Sequence, residues 1–447
     1  MKKILLLGAG MVTRPLTRYL LSKGYQLTIA SRTVSKAEAL IEGHPNGKAV
    51  PWTVDKEAEL QDMVKDCDLA ISLLPAAYHV MVAKACLEHG KNMVTTSYIK
   101  PEMQALDAQA KDKGLLILNE IGVDPGIDHM SAMKIIHDVE KAGGKIVSFK
   151  SYCGGLPAPE ANDNPWGYKF SWSPISVLLA GKNDGRYVKD GKEVYVPGPE
   201  LFTHTHMLEV PDLGELQAYT NRDCLGYIEV YGLKDAKTVF RGTLRNKGWC
   251  QTLKKVADSG LLDDKTELEW DGKTYKEVTA QVVPGATPGT VKKDFAGHAG
   301  MAEDAEPMQW LEWLGMFSDD KVKLKKGEKP TSLRILASLM EERMAYKDGE
   351  RDLLVMHHEF IAEYPDRSEK LTSTMLDFGI PGVDSSMART VSLPAAMAAH
   401  LILDGKIKAT GVHVPVAPMI YEPVLKELEE MENGIVFKER KHDLKAA

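Results

Sequence analysis

Cysteine is scarce in this sequence of 447 residues, and the five that it has are Cys67, Cys86, Cys153, Cys224 and Cys250. Because their number is odd and they are widely scattered, the sequence predicts neither a disulfide framework nor a zinc site, and no metal is expected. Hydrophobic runs of membrane-spanning length are also missing. Lys2 and Lys3 lead directly into a strand and a glycine turn, not into a signal peptide. We therefore expect a cytoplasmic protein that does not bind membranes.

An excess of positive charge is absent too. The 56 Lys and Arg residues are outnumbered by 63 Asp and Glu residues, which gives a net charge of −7. This balance argues against nonspecific binding to nucleic acid. The hydrophobic content of 44% is ordinary for a globular protein, and the length is too great for one core, so two or three domains are expected.

A dinucleotide-binding motif stands at the amino terminus. The apolar strand Ile4–Leu7 runs into Gly8 and Gly10, and a helical pattern over Leu16–Ser22 follows. Gly8 allows a sharp turn, and Gly10 lets a phosphate approach the backbone at the positive end of the helix. The third glycine of the usual motif is replaced by Thr13. The two remaining glycines are a weak signal alone, and the strand before them and the helix after them support the assignment.

The turn after the second strand carries a cation. Ser31, Arg32 and Thr33 follow the apolar stretch Tyr25–Ala30, at the position where an acidic residue would bind the ribose of NAD. A guanidinium with two hydroxyls suits the 2′-phosphate of NADP instead. NADP is the predicted cofactor, and NAD remains possible because a flexible arginine can accommodate either.

Strands and helices alternate through the first part of the chain. Apolar strands are predicted at 68–75, 92–96 and 115–120, and helices at 79–89 and 101–113. This rhythm predicts an α/β fold with a parallel, Rossmann-type sheet covered on both faces. Ligands bind beyond the carboxyl ends of such strands, which makes the turns at 74–77, 96–98 and 120–126 candidates for a site.

The pattern changes after residue 145. A strand at 145–152 is predicted to enter a Gly- and Pro-rich loop at 153–167. Residues 284–307 contain Gly and Pro without a clear periodicity and are predicted to link helices. The remaining predicted elements are helices at 249–259, 308–317, 331–346, 388–403 and 425–432, a strand at 216–219, paired strands at 352–364 and 370–378, and a solvated end at 438–447. The last helices are expected to pack on the nucleotide-binding domain.

Several segments combine backbone breakers with charged or reactive side chains, in a fixed order after Val94–Tyr98. They are 119–129, 151–160, 162–172, 221–223 and 241–245, followed by 341–344 with 350–353 and by 387–391. No segment is diagnostic alone, but the ordered set resembles the glutamate-forming saccharopine dehydrogenases. The resemblance runs from Lys3 to about Val436.

The resemblance implies both an activity and an architecture. The family interconverts saccharopine with L-glutamate and 2-aminoadipate 6-semialdehyde by hydride transfer through an imine, with a nicotinamide cofactor, in lysine metabolism. It implies a homodimer built from a Rossmann domain, an α/β substrate and dimerisation domain, and a small helical domain. The corresponding segments are 1–128 (Rossmann), 129–245 (substrate), 246–347 (helical), 348–390 (return strands) and 391–447 (carboxyl-terminal helices on the Rossmann domain).

Site residues follow from the same resemblance. On the cofactor side it implies Gly8, Gly10, Met11, Val12, Ser31, Arg32, Thr33, Leu73, Thr96 and Ser97. On the saccharopine side it implies Ser97, Tyr98, Asp124, Arg222, Thr243, Leu244 and Arg245. The chemistry agrees, because a substrate with three carboxylates needs planar cations that can bind carboxylates in a bidentate manner.

The reaction also needs an acid/base group, which deprotonates the amine and activates the water that adds to the imine. Asp124, Tyr98 and Cys153 are the candidates, in that order, although Asp124 could simply bind an ammonium and Cys153 could be a packing residue. His129, early in a predicted helix, is interpreted as a capping or packing residue.

Three alternatives remain open at the level of sequence. One is an NAD-dependent enzyme of lysine breakdown, which Arg32 disfavours. Another is a relative that acts on a different imine, such as a carboxylated polyamine, which the pair Arg222 and Arg245 disfavours. The third is a nucleotide-binding regulatory protein with an inactive site.

Overall fold

The structure is a computed structural model that describes residues 1–444. Its strands are β1 (Lys3–Leu7), β2 (Gln26–Ser31), β3 (Gly47–Pro51), β4 (Leu69–Ser72), β5 (Asn92–Thr95), β6 (Leu116–Leu118), β7 (Lys145–Pro157), β8 (Gly185–Lys189), β9 (Lys192–Val196), β10 (Thr205–Val210), β11 (Gly214–Thr220), β12 (Thr238–Arg245), β13 (Asp352–Glu363), β14 (Ser368–Phe378), β15 (Gly411–His413) and β16 (Phe437–Leu444). The predicted hairpin at 352–364 and 370–378 is confirmed as β13 and β14.

The helices connect these strands and also form a cluster between β12 and β13. They are α1 (Arg14–Ser22), α2 (Val34–Ile41), α3 (Glu57–Asp66), α4 (His79–Glu88), α5 (Pro101–Gln104), α6 (Asp107–Asp112), α7 (Ile127–Lys141), α8 (Pro174–Leu179), α9 (Gly226–Val230), α10 (Trp249–Asp258), α11 (Tyr275–Val282), α12 (Val291–His298), α13 (Glu306–Leu314), α14 (Ser332–Arg343), α15 (Ser386–Leu403) and α16 (Pro418–Glu430). No helix in the described part of the chain is long and apolar enough to span a membrane.

The chain divides into two compact units. The first unit comprises residues 1–146, 362–369 and those from Met375 onward, and the second comprises residues 147–361 and 370–374. The five segments expected from the sequence are a finer division than these two units, and that division stays a prediction.

A parallel seven-stranded sheet forms the centre of the first unit. Its strand order is β15-β6-β5-β4-β1-β2-β3. The chain first adds β2 and β3 on one side of β1 and then crosses to the other side of β1, where it adds β4, β5, β6 and β15. Ile4–Leu7 are almost fully buried, because helices cover both faces of the sheet. The predicted Rossmann-type sheet is confirmed, and the sheet places the ends of β1, β2, β4 and β5 along one edge.

Two details of the first unit differ from the sequence-based expectations. The single helix predicted at 101–113 is two helices, because an i→i−3 hydrogen bond from Leu106 N to Met103 O tightens the chain and keeps Leu106 buried. The solvated end predicted at 438–447 is exposed from Lys438 to Leu444, as expected, but these residues also lie in the strand β16, which the sequence did not indicate. Residues 445–447 of that prediction lie outside the described residues.

A second, mixed sheet forms the centre of the second unit, in the order β10-β11-β12-β7-β13, with the β8–β9 hairpin beside β12. The loop predicted from Cys153 onward is wrong at its start, because β7 continues through Pro157. Gly154 makes this possible, since a Cβ there would lie 2.7 Å from Leu244 O on the neighbouring strand.

The linker predicted at 284–307 is also wrong in part, because it contains α12 (Val291–His298). Val291, Phe295 and Ala296 are buried in this helix, and this short apolar stripe spans too few turns to produce a clear period in the sequence. The helices predicted at 249–259, 308–317 and 331–346 are confirmed as α10, α13 and α14, to within three residues at each end.

Candidate functional site

The turn after β1 has the geometry of a phosphate-binding loop. Gly8 adopts φ +110°, and a Cβ at this position would lie 2.9 Å from Leu73 O, so the turn requires glycine. At Gly10 only Thr13 Oγ1, at 4.0 Å, would lie within 4 Å of a Cβ. The backbone of Gly10 is therefore open to an approaching phosphate, and Met11 beside it is exposed.

Thr13 replaces the third glycine of the motif and explains how the turn holds its shape. Its side chain is buried, and its Oγ1 accepts a hydrogen bond of 3.0 Å from Gly10 N. Its backbone oxygen accepts from the Thr17 hydroxyl in the first turns of α1. Thr13 thus connects the loop to the helix, and Val12, the residue before it, is half-buried.

The turn that follows β2 lies next to this loop, because β1 and β2 pair with Leu7 opposite Ala30. Ser31 Oγ accepts a hydrogen bond of 3.3 Å from Thr33 N, and α2 begins directly after Thr33. Arg32 is exposed and forms no ion pair with the residues in positions 1–444. A free guanidinium beside a helix amino terminus fits the 2′-phosphate of NADP.

Leu73 and Ser97 follow the neighbouring strands β4 and β5, and Leu73 N donates to Leu7 O at 2.9 Å. Thr96 packs beside the turn at 120–126, where a Cβ on Gly122 would lie 3.1 Å from the Thr96 Cβ. The predicted cofactor residues therefore lie along one edge of the sheet, in the order of the strands.

A histidine that the sequence did not single out lies among these strand ends. His79, the first residue of α4, is buried, with its Nδ1 2.9 Å from Ser72 Oγ and its Nε2 2.8 Å from Ser97 Oγ. Burial, reinforced by the charge of Lys100, lowers the pKa of His79 to about 4. The only sequence signal was its place just after the candidate turn at 74–77.

The depressed pKa of His79 predicts a loss of stability in acid. The unfolded chain protonates this side chain below its ordinary pKa of 6.5, whereas the folded protein does so only near pH 4, so the free energy of unfolding falls as the pH drops through that window. The loss specific to His79 is about 2 kcal/mol between about pH 7 and about pH 5. Urea unfolding of the wild type and His79→Gln at both pH values measures it.

His89→Gln is the control for that experiment, because the half-buried His89 ring forms its one side-chain hydrogen bond within residues 1–444 with Gln61 on α3, at 2.8 Å. Its pH dependence should match that of the wild type. An unchanged pH dependence in His79→Gln would contradict the neutral, buried state of His79.

The two leading acid/base candidates meet in the first unit. Tyr98 donates a hydrogen bond of 3.0 Å from its hydroxyl to Asp124 Oδ1. A hydroxyl held on a carboxylate is an arrangement through which a proton can be moved to or from a substrate nitrogen.

Glu120, also missed from the sequence, holds this pair in place. It has a left-handed backbone with φ +56°, is buried, and accepts a hydrogen bond of 2.8 Å from Ile99 N. Its other oxygen lies 2.8 Å from Nε2 of the fully buried His129. Glu120 thereby connects the segment of Tyr98 to the helix that follows Asp124, and the burial of His129 agrees with its interpretation as a packing residue.

The second unit contains a buried cation, Arg245, that has no carboxylate partner among residues 1–444. Arg245 is 4% exposed, and its Cζ lies 5.1 Å from the ring centre of Tyr168, 5.7 Å from that of Trp249 and 6.0 Å from that of Tyr219. Its Nη1 donates to Leu244 O, while its Nε has no hydrogen-bond partner among residues 1–444. A buried guanidinium left unpaired in this way suits an anionic ligand.

The neighbours of Arg245 on the sheet fall into two groups. Thr243 lies opposite Cys153 on β7 and Tyr219 on β11, so these residues share a face with Arg245. Leu244 points to the other face, so a ligand on the Arg245 face would meet only its backbone. Cys153, the third acid/base candidate, is buried.

Arg222 follows β11 and is exposed, with a left-handed backbone at φ +60°. Its backbone oxygen accepts a hydrogen bond of 3.1 Å from Arg186 N. Elsewhere in the same unit, Lys169 lies buried between Glu350 at 2.6 Å and Asp163 at 2.8 Å, which brings together three charged residues from the ordered segments.

Comparisons with known proteins cover this chain almost from end to end. A family model described as the saccharopine dehydrogenase NADP binding domain matches residues 4–118, and one described as the saccharopine dehydrogenase C-terminal domain matches residues 122–435. The chain belongs to the saccharopine dehydrogenase family.

Members of this family are similar over nearly the whole chain. The saccharopine dehydrogenase (NADP(+), L-glutamate-forming) of Schizosaccharomyces pombe is 42% identical over 96% of this chain and 97% of its own. The mitochondrial alpha-aminoadipic semialdehyde synthase of mouse is 37% identical over 98% of this chain, which spans 47% of that protein. The structure of apo saccharopine dehydrogenase (L-Glu forming) from Saccharomyces cerevisiae has 37% identity and a TM-score of 0.86, covering 99% of this chain and all of the other.

The candidate site residues of this chain lie in three groups. The glycine turn and Arg32 lie at the carboxyl edge of the first sheet, and the hydrogen-bonded pair of Tyr98 and Asp124 lies at the same edge. Arg245 is buried in the second unit. None of these groups resembles a metal site, and the described residues contain no cluster of three or more His, Cys, Asp or Glu side chains that could hold a metal ion.

Proposed function

We propose that this chain interconverts saccharopine with L-glutamate and 2-aminoadipate 6-semialdehyde, as an NADP-dependent enzyme of lysine metabolism. One observation carries the proposal: the similarity to the NADP(+), L-glutamate-forming enzyme of S. pombe covers 96% of this chain and 97% of that one. The proposal includes a homodimer, which the family resemblance implies, and the cytoplasmic location expected from the sequence.

For the cofactor, we assign the phosphates to Gly8, Gly10, Met11 and Val12. The open backbone at Gly10 and the unpaired Arg32 both fit NADP. The 2′-phosphate is assigned to Ser31, Arg32 and Thr33, and the ribose and nicotinamide are assigned to Leu73, Thr96 and Ser97. When bound, NADP(+) accepts the hydride from the substrate carbon.

For the substrate, we assign carboxylates to Arg222 and Arg245, with Thr243 and the backbone of Leu244 beside Arg245. Ser97 and Tyr98 would donate hydrogen bonds, and Asp124 would bind an ammonium. As the acid/base group we place Asp124 first, because Tyr98 already holds it in a defined orientation at 3.0 Å. Tyr98 itself and then Cys153 are the next candidates.

An initial-rate assay tests the proposed function. Saccharopine with NADP(+) should give an increase in nicotinamide absorbance, and L-glutamate with the semialdehyde should oxidise NADPH. NAD(+) should support a much lower kcat/KM. Tight NADPH binding without any turnover would instead favour a regulatory protein with an inactive site.

Removing the guanidinium of Arg32 should weaken the binding of NADPH specifically. One charge-assisted interaction with a phosphate accounts for about 1.5–3 kcal/mol, so Arg32→Ala should raise the KM for NADPH by about 10- to 150-fold while the KM for NADH hardly changes. Steady-state kinetics with both cofactors measure this.

Lys48→Ala provides the matched control, since it removes one exposed positive charge near the amino end of β3, away from the binding edge. It should leave both KM values unchanged. A loss smaller than about threefold in Arg32→Ala would overturn the 2′-phosphate assignment.

A further inference from the structure

Three side chains form a short hydrogen-bonded row at the carboxyl ends of β4 and β5. Ser72 Oγ lies 2.9 Å from His79 Nδ1, and His79 Nε2 lies 2.8 Å from Ser97 Oγ. Ser72 and His79 are buried, whereas Ser97 is half-buried. The row thus begins inside the sheet and ends at a site residue.

The direction of the hydrogen bonds follows from Ser72. Among residues 1–444, the Ser72 hydroxyl has no hydrogen-bond partner except His79 Nδ1. A buried hydroxyl hydrogen without an acceptor is costly, so Ser72 donates to Nδ1. The neutral imidazole then carries its proton on Nε2 and donates it to Ser97 Oγ.

The other groups around His79 favour its neutral form, and Ser72 determines which ring nitrogen carries the proton. Thr95 Oγ1 lies 3.5 Å from Nδ1 and 3.4 Å from Nε2, at the limit of hydrogen bonding, so it competes weakly with Ser72. The charge that acts on the ring is Lys100, which opposes protonation along with burial.

We propose that Ser72 and His79 fix Ser97 as a hydrogen-bond donor toward a carbonyl or carboxylate oxygen of the bound ligand. Ser97 Oγ already accepts from His79, so its own hydrogen points to a second acceptor, and the protein supplies none among residues 1–444. His79 is a positioning residue that acts through Ser97. This inference rests on the proposed function, because that function places Ser97 beside the nicotinamide carboxamide and a substrate carboxylate.

The tautomer can be measured without any substrate. Nitrogen-15 spectra of the histidine rings, with the His79 signals identified by their loss in His79→Gln, report which nitrogen carries the proton at neutral pH. We expect a protonated Nε2 and an unprotonated Nδ1. A proton on Nδ1 would overturn the proposal, even in a chain that showed no saccharopine turnover, so the two failures are distinguishable.

Two amide variants test the consequence for binding. Glutamine places an amide N–H near the position of Nε2 and can still donate to Ser97, whereas asparagine is one bond shorter and cannot. His79→Asn should therefore raise a KM by about 10-fold, and His79→Gln should change it by less than about threefold. An increase in the KM for NADPH would identify the nicotinamide carboxamide as the acceptor of the Ser97 hydrogen bond. An increase in the KM for saccharopine would identify a substrate carboxylate as the acceptor.

Ser97→Ala completes a double-mutant cycle. The loss in Ser97→Ala should match that in His79→Asn, and combining the two should add nothing, because both remove the same interaction. Circular dichroism and unfolding midpoints of the variants show whether each is folded, and the tautomer measurement decides the matter if His79→Asn is not. Equal KM values for the wild type and a folded His79→Asn would overturn the proposal. Fully additive losses of binding in the double variant would overturn it as well.

Discussion

Asp124→Asn should lower kcat by about 10²- to 10⁴-fold, the range by which a positioned acid/base group accelerates proton transfer. Asparagine keeps the size of the side chain and an oxygen that can accept from Tyr98, so the hydrogen bond of 3.0 Å need not be lost. The KM for saccharopine should change much less than kcat. Stopped-flow and steady-state rates with NADP(+) measure both parameters.

Two companion variants sharpen this result. Tyr98→Phe removes the hydroxyl but keeps the carboxylate, so its loss should be about 10-fold. Asp112→Asn removes an exposed carboxylate at the end of α6 and should have no effect. If Asp124→Asn raised the KM and left kcat intact, Asp124 would bind an ammonium and another group would transfer the proton.

Arg245→Met should raise the KM for saccharopine by about 10- to 150-fold, because it removes the buried cation that we assign to a carboxylate. Methionine removes the charge and keeps an unbranched, flexible side chain suited to contacts with the rings of Tyr168, Tyr219 and Trp249. Because a buried charge without a counter-ion destabilises the folded state, the variant should unfold at the same or a higher temperature than the wild type.

The comparison of binding with stability separates two roles of Arg245. Arg343→Gln, which removes an exposed guanidinium that pairs with Asp320 at 3.4 Å, should change neither the KM nor the melting temperature. A large drop in the melting temperature of Arg245→Met, with an unchanged KM, would show that Arg245 serves the fold and not the substrate.

The first sheet could be predicted because its sequence signals are local. Ile4–Leu7 form an unbroken apolar run before Gly8, and such a run followed by a glycine turn has few structural alternatives. The cation on the 31–33 turn was equally visible, since that turn comes directly after the second strand of the motif.

Other features depend on contacts between distant parts of the sequence and could not be predicted in this way. β7 continues past Cys153 because its neighbour β12 lies against Gly154, and the paired residues of the two strands are ninety positions apart in the chain. Glu120 and His79 looked like the ordinary end of a strand and the ordinary start of a helix. Their roles arise from partners on other elements, namely Ile99 and His129 for Glu120, and Ser72 and Ser97 for His79.

Arg245 illustrates the limit most clearly. The sequence indicated a cation at this position, but it could not show that aromatic rings and not carboxylates surround it. That distinction depends on Tyr168, Tyr219 and Trp249, which belong to three separate segments.

The exposed, unpaired Arg32 has a consequence for the evolution of this protein. Because the side chain packs against no core and pairs with no carboxylate in positions 1–444, exchanging it disturbs neither the sheet nor the glycine turn. Under the proposed assignment of the 2′-phosphate to Arg32, preference for the phosphorylated dinucleotide is therefore separable from the folding of the first unit. An enzyme lineage could change its preference between NADP and NAD through surface substitutions in this single turn, without passing through an unstable ancestor.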